Sequence, residues 1–302
     1  MVMNRVQANL LLLSVSFLWG IQYFFIKDVE IATFAFLTLT YGFGFLILLI
    51  PFWRKLSGFT MEIALQSFIL ALVLVTFNLF LCEGLQLLEA SFVSFAINAV
   101  YLIFILLFTH FLKGSITKSN CIGVLMVIGG LALITGHIEN LNSWLGLAKI
   151  VAAAALFALH VILVDRIAKN TDTLVLSIGQ MFFCTIFCFV GWLLLYPETF
   201  GQITWSGEFW INVLLIAIFI RGYTTIAQIY AQKFILPIDA SLILSLEIVF
   251  TLVSSSFLSS LLGLVSEDLS FYKVAGCLVI CLGLIVSSCN SLENISLLRK
   301  SV

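Results

Sequence analysis

The sequence predicts an all-α membrane protein of ten transmembrane helices, arranged as a 5+5 inverted-repeat bundle. Three observations carry that prediction: the composition, a row of ten apolar stretches each about 20 residues long, and a pattern in the fourth stretch that returns in the ninth. Of 302 residues, 62% are hydrophobic and 10% are charged. Soluble domains average about 45–50% apolar and about 25% charged. Fourteen basic and fifteen acidic side chains are too few to clothe a water-soluble globule of this length. A formal charge of −1 leaves no basic patch, which excludes nucleic acid as a natural partner and makes the lipid bilayer the expected one.

A helix needs roughly 20 apolar residues to cross about 30 Å of hydrocarbon. Reading between polar clusters gives spans at 8–26, 32–52, 63–82, 89–111, 119–136, 145–165, 173–195, 209–231, 240–262 and 271–289. None alternates with the period of a strand. Asn4-Arg5 before an apolar run resembles the start of a secretory signal, but no small-residue cleavage site follows, so it reads as the first span. The span boundaries are least sharp at Glu83–Glu89 and Gln232–Asp239, where the connections are short.

Basic residues orient the chain. With the N-terminus in the cytoplasm, Arg5, Arg54, Lys55, Lys113, Lys118, Arg166, Lys169, Lys233, Arg299 and Lys300 fall inside, and Lys27, Lys149 and Lys273 outside. A miscounted helix would scramble that bias. The expectation is a multi-pass protein of the cell (inner) membrane with both termini cytoplasmic. Acidic residues such as Asp28, Glu30, Glu139, Glu267 and Asp268 lean outward, but they weigh little in this rule.

The sequence also repeats itself. Glu89-Ala90-Ser91-Phe92-Val93-Ser94 returns as Asp239-Ala240-Ser241-Leu242-Ile243-Leu244, each opening a helix. Gly123 and Gly130 in the fifth span are spaced like Gly276 and Gly283 in the tenth, and Gln22 near the end of the first span matches His160 in the sixth. These three matches in one order divide the chain into repeats at 1–137 and 138–302. Each repeat has five helices, so the second inserts inverted relative to the first, as in many secondary transporters with a midplane site between their halves.

Seven cysteines lie in or beside apolar runs and form no CxxC; they read as small helix-packing residues. No HExxH, phosphate-binding GKS/T or GxSxG occurs, so the chain reads as a non-enzyme without a cofactor or metal.

Phe17-Leu18-Trp19-Gly20 with Ile26-Lys27, Ala231-Gln232-Lys233 with Pro237, and Ala240 to Glu247 followed by Gly276 and Gly283 together resemble the drug/metabolite transporter superfamily, specifically EamA-type transporters. The resemblance covers essentially the whole chain. It implies a 5+5 inverted repeat and passage of a small metabolite through a central cavity. The sequence departs from the family where Ile248, not Pro, follows Glu247, and where Lys113-Gly114 stands in place of Gly-Glu.

Charge inside a membrane costs about 2.5–3.5 kcal/mol at helix centre on insertion scales, so a buried ionisable residue is a functional hypothesis. Arg221 lies in the eighth span and Glu247 in the ninth. At 1.5 Å per residue both sit roughly 12–18 Å from the inner face. Arg221 shares a face with Thr224, Thr225, Gln228 and Gln232, and Glu247 with Thr251, Ser254 and Ser255. Two readings stay open: a structural Arg221–Glu247 ion pair, or direct roles in which Arg221 attracts an anionic group and Glu247 carries a proton or cation. Further candidates for the cavity wall are Trp19, Gln22, Tyr23, Asn78, Asn98, Tyr101, His160 and Gln180, against the alternative of packing or interhelical hydrogen bonds.

The expected function is a secondary transporter or permease moving a small polar or amphipathic metabolite, such as an amino acid, amine or related compound, by alternating access. A coupled proton or ion is conceivable, and the chain would act as a monomer or homodimer. The alternative is a membrane-embedded enzyme or sensor with a polar intramembrane site.

Overall fold

A computed structural model describes residues 3–27, 31–113, 118–135, 141–201, 203, 205–235, 237–262 and 270–299, and among them it is helical with no strand. The first seven expected spans appear as α1 (Arg5–Lys27), α2 (Thr33–Phe52), α3 (Met61–Leu85), α4 (Ala90–Lys113), α5 (Lys118–Thr135), α6 (Leu141–Ala168) and α7 (Thr173–Leu195). The eighth is continuous but changes pitch: α8 (Gly207–Leu215) winds into a π-helical segment (Ile216–Tyr223) and then α9 (Thr224–Gln232). The ninth divides into α10 (Pro237–Leu244) and α11 (Glu247–Leu262), and the tenth is α12 (Phe271–Arg299). Six of the described stretches are long and apolar enough to cross a membrane: Arg5–Lys27, Thr33–Gly58, Met61–Leu85, Asn142–Ala168, Thr173–Leu195 and Gly207–Gln232. Asp28, Glu30, Glu139, Glu267, Asp268 and Lys300, used above to orient the chain, and Gly114 lie outside the described residues, as does the side chain of Ser255.

Polar caps fix where several helices begin. Thr60 accepts from the Ile63 amide, Asp172 Oδ1 accepts from the Leu174 and Val175 amides, and Ser206 accepts from the Phe209 amide. Each satisfies a first-turn N–H that would otherwise be left without a partner.

The helices pair in a recurring pattern. α2 lies along α7, and α5 lies along α12. α3 packs on α6 and α7, while the 207–232 stretch packs on α1 and α2. α4 packs on α6, and the 237–262 stretch packs on α1. The α5–α12 contact is built on the glycines that the sequence repeats. A Cβ on Gly130 would stand 2.7 Å from the Gly276 carbonyl oxygen, and one on Gly283 would stand 2.8 Å from that of Gly123. With lipid as solvent, helices gain contact by such backbone approach rather than by excluding water.

The break in the ninth span departs from the single helix expected at 240–262. Leu246 N–H donates to the Ile243 carbonyl, Ile248 to Ser245 and Val249 to Leu246, each three residues back instead of four. Hydroxyls explain the tightening. Ser16 of α1 donates to the Ile243 and Leu244 carbonyls at 2.9 Å, Ser245 donates to Ser241, and Thr251 donates to Glu247. Side-chain hydroxyls that compete for helix carbonyls bend helices.

Candidate functional site

Eight of the ten spans turn polar side chains toward one place. The result is a central cavity of about 630 Å3, counted as all space between atoms including that open to the outside. α1 contributes Trp19, Gln22 and Tyr23; α2, Tyr41; α3, Leu74, Phe77 and Asn78; and α4, Ile97, Asn98 and Tyr101. α6 gives Phe157 and His160, and α7 gives Gln180. The 207–232 stretch adds Ile220, Arg221, Thr224, Thr225 and Gln228, and α11 adds Glu247 at its first residue. The ten candidates named one by one in the sequence line this cavity, as do Thr224, Thr225 and Gln228 of the Arg221 stripe, whereas Thr251 and Ser254 of the Glu247 stripe do not.

Glu247 stands at the helix break, where it accepts a hydrogen bond from the Tyr23 hydroxyl. Gly20 permits the approach of α1: a Cβ there would fall 2.6 Å from Phe250 Cβ and 3.0 Å from the Glu247 carbonyl oxygen. One turn on, Thr251 is bonded to Ser94 of α4 at 2.9 Å. Arg221 is held differently. Its Nη1 donates to Asn78 Oδ1 at 2.9 Å and reaches the Tyr41 hydroxyl at 3.5 Å, and its guanidinium lies over the Tyr41 ring with 4.5 Å to the centroid. A cation over an aromatic face in a dry setting contributes about 2 kcal/mol.

The ion pair considered from the sequence is therefore not formed. Arg221 and Glu247 reach the same cavity, but each is bonded to neutral partners and not to the other. The helical rise sets their depth correctly, whereas the π-helical turn and the helix break set where each side chain points. Gln232, expected on the Arg221 stripe, is buried but does not line the cavity.

Several candidates serve both of the uses weighed for them. Asn78 lines the cavity and makes an interhelical bond to Arg221. Gln180 Nε2 lies 3.0 Å from His160 Nε2, so the imidazole is tied to a neighbouring helix while facing the cavity. Trp19 Nε1 donates to Thr224 Oγ1 at 3.2 Å, and its ring meets Phe157 edge-on. Phe157 also stacks on Phe77 at 5.0 Å and packs against Tyr101 at 4.9 Å, forming an aromatic wall opposite no single helix but shared by four. Tyr41, Phe77 and Phe157 were not singled out in the sequence. Tyr41 had a signal, as a buried phenol beside Thr38 and Thr40 in an apolar span; Phe157 is one of 29 phenylalanines and had none.

The sequence pattern of the EamA-like transporter family matches residues 6–136 and, a second time, residues 144–289. The chain belongs to the EamA-like transporter family. It is thereby a member of the drug/metabolite transporter superfamily, whose EamA-like members are transporters, and a multi-pass integral membrane protein. A protein of known crystal structure shares its fold, with a TM-score of 0.70 and 17% identity over 94% of this chain and 98% of that one. No curated protein matches its sequence. Within this EamA-like chain, the described residues hold no cluster of three or more His, Cys, Asp or Glu arranged to hold a metal ion.

Proposed function

We propose that this EamA-like protein is a secondary transporter that moves a small polar or amphipathic metabolite across the cell membrane by alternating access to the central cavity. The observation that carries the reading is the convergence of two buried charged residues and a ring of amides, hydroxyls and aromatic faces on one central cavity. Polar groups are costly inside a bilayer and persist where they pair with one another or line a pathway. A cavity with apolar walls and a few placed polar groups is the general form of a small-molecule site.

The helix pairing supports two inverted halves, 1–137 and 138–302. Exchanging first-half helices for their second-half counterparts turns α3-on-α6 into the 207–232 stretch on α1, and α4-on-α6 into the 237–262 stretch on α1; both contacts occur. The same exchange leaves α2-on-α7 and α5-on-α12 unchanged. A discontinuous helix with a charged residue at its break also fits the transporter pattern. With both termini cytoplasmic, the outer end carries three polar links: Lys27 Nζ to the Leu88 carbonyl, Lys149 to Glu83, and Lys273 to Glu89. They tie helix ends together on that side, beside a second cavity lined by Lys27, Leu88, Glu89 and Lys273. Energy comes from a gradient or a counter-substrate, and Glu247 is the residue placed to carry a proton.

The test is flux into proteoliposomes containing the purified chain, screened with amino acids, amines and organic anions under imposed proton and sodium gradients. Accumulation that depends on the protein and exceeds that of empty vesicles is expected. Flux absent across the panel, with chemical conversion of a lipid or peptide instead, would turn the reading to the membrane-enzyme alternative.

A further inference from the structure

Arg221 uses only part of its hydrogen-bonding capacity. Nη1 is taken by Asn78 and Tyr41. Nε and Nη2 have no hydrogen-bond partner among protein groups, in a residue only 5% exposed. These two nitrogens share one edge of the planar guanidinium. Their N–H bonds run parallel, at a spacing that matches the two oxygens of a carboxylate. The Glu247 carboxylate, the other charged group lining the cavity, is bonded to Tyr23 and not to that edge. Asn78 and the Tyr41 ring meanwhile fix the guanidinium plane, so the open edge is held in one orientation rather than left to a flexible chain. Gln228 Nε2 is a second buried donor without a hydrogen-bond partner among protein groups, and Gln228 lines the same cavity.

We infer that the transported molecule carries a carboxylate, which docks side-on against Nε and Nη2 of Arg221. This rests on the transport reading and narrows it: amines and neutral solutes would leave the open edge of a buried cation unfilled. The opposing Glu247 makes a zwitterion compatible with the same cavity, but the Arg221 edge decides the class. Phosphate is a poorer match, because Asn78 occupies the nitrogen that a third oxygen would use.

The experiment compares matched ligands on the intact chain in detergent. Leucine, leucinamide, 4-methylpentanoate and 3-methylbutylamine form one set; equivalent sets are built on alanine and phenylalanine. Thermal stabilisation gives the affinity of each. In at least one set the acids are expected to bind, and conversion to the amide or removal of the carboxylate weakens binding by about tenfold or more. Arg221→Lys keeps the charge but lacks the parallel edge, and is expected to lose a similar factor for acids only. The inference is overturned if amides and amines bind as well as acids, if no acid in any set binds, or if Arg221→Lys binds acids like the wild type. The ligand comparison needs no variant, so it stands even where Arg221→Lys fails to fold. Flux of the same sets separates the two claims. Acids that bind but never cross end the transport reading, whereas amines or amides that cross without any preference for acids end only this one.

Discussion

Gly129 and Gly130 are neighbours on α5 that differ in what surrounds them, and a methyl group added to each should act in opposite directions. A Cβ at Gly129 meets nothing within 4 Å, and the residue is exposed. A Cβ at Gly130 meets the Gly276 carbonyl oxygen and Ile280 Cγ1, each at 2.7 Å, and the Ile280 amide nitrogen at 3.0 Å. Two of those three atoms are backbone, so relief requires α5 and α12 to move apart. Gly→Ala in a helix interior contributes roughly 0.8–1.0 kcal/mol of stability through propensity at either site. Overpacking costs about 1–3 kcal/mol. The propensity gain is common to both variants, so their difference isolates the contact: Gly130→Ala should lie about 1–3 kcal/mol below Gly129→Ala. At about 1.4 kcal/mol per tenfold, that is roughly a 5- to 150-fold difference in the folded-to-unfolded ratio. Thermal unfolding in a single detergent, read by intrinsic fluorescence, measures it. Gly283→Ala wedges the same helix pair, so combining it with Gly130→Ala should cost less than the two separately. Equal stability of Gly129→Ala and Gly130→Ala would refute the claim that backbone approach between α5 and α12 holds the bundle there.

Tyr23→Phe removes the donor to a buried Glu247 oxygen and should lower stability by about 1–3 kcal/mol, with flux reduced in proportion to any loss of Glu247 positioning; unchanged melting and flux would count against the tether. Ser16→Ala strips the hydroxyl from the Ile243 and Leu244 carbonyls and should cost about 1–3 kcal/mol in the same unfolding assay, more than Ser14→Ala, whose hydroxyl faces an exposed tyrosine. Lys149→Met breaks a half-exposed ion pair with Glu83 and should change stability by no more than about 1 kcal/mol. It should nevertheless raise the labelling of cysteines introduced in the cavity by an impermeant reagent from the outer side; unaltered labelling would show that this link does not help close that end.

How much of this was legible depends on what kind of interaction each feature uses. Ten helices could be read because hydropathy senses length and composition, and the bounds of α7 coincide with the expected 173–195. The polar lining could also be read, because Asn, Gln, Arg and Glu stand out in an apolar background and the bundle has a single interior to put them in. The π-helical turn at 216–223 and the break before Glu247 could not. Each depends on which carbonyl a few amides choose, and at the break that choice is made by Ser16, more than 220 residues away in sequence. The Arg221–Glu247 question stayed open in the sequence for the same reason. Rise per residue gives height in the membrane, but the direction of a side chain around its helix depends on neighbours such as Tyr41 and Tyr23, which pair with these charges only in three dimensions.

Both charged groups of the cavity sit late in the chain, and the hydrogen-bond partners described for them come from early in it: Tyr41 and Asn78 for Arg221, Tyr23 for Glu247. Ser14 to Tyr223, Trp19 to Thr224 and Ser94 to Thr251 cross the same divide. The polar lining is therefore also the seam along which residues 3–135 meet residues 141–299. In the proposed alternating-access cycle, relative motion of those two parts exchanges these bonds for others, and a guest that can supply the replacements lowers the barrier to the motion that carries it. Recognition and movement then depend on one set of hydrogen bonds, and a side chain changed to alter selectivity at this seam should alter turnover as well.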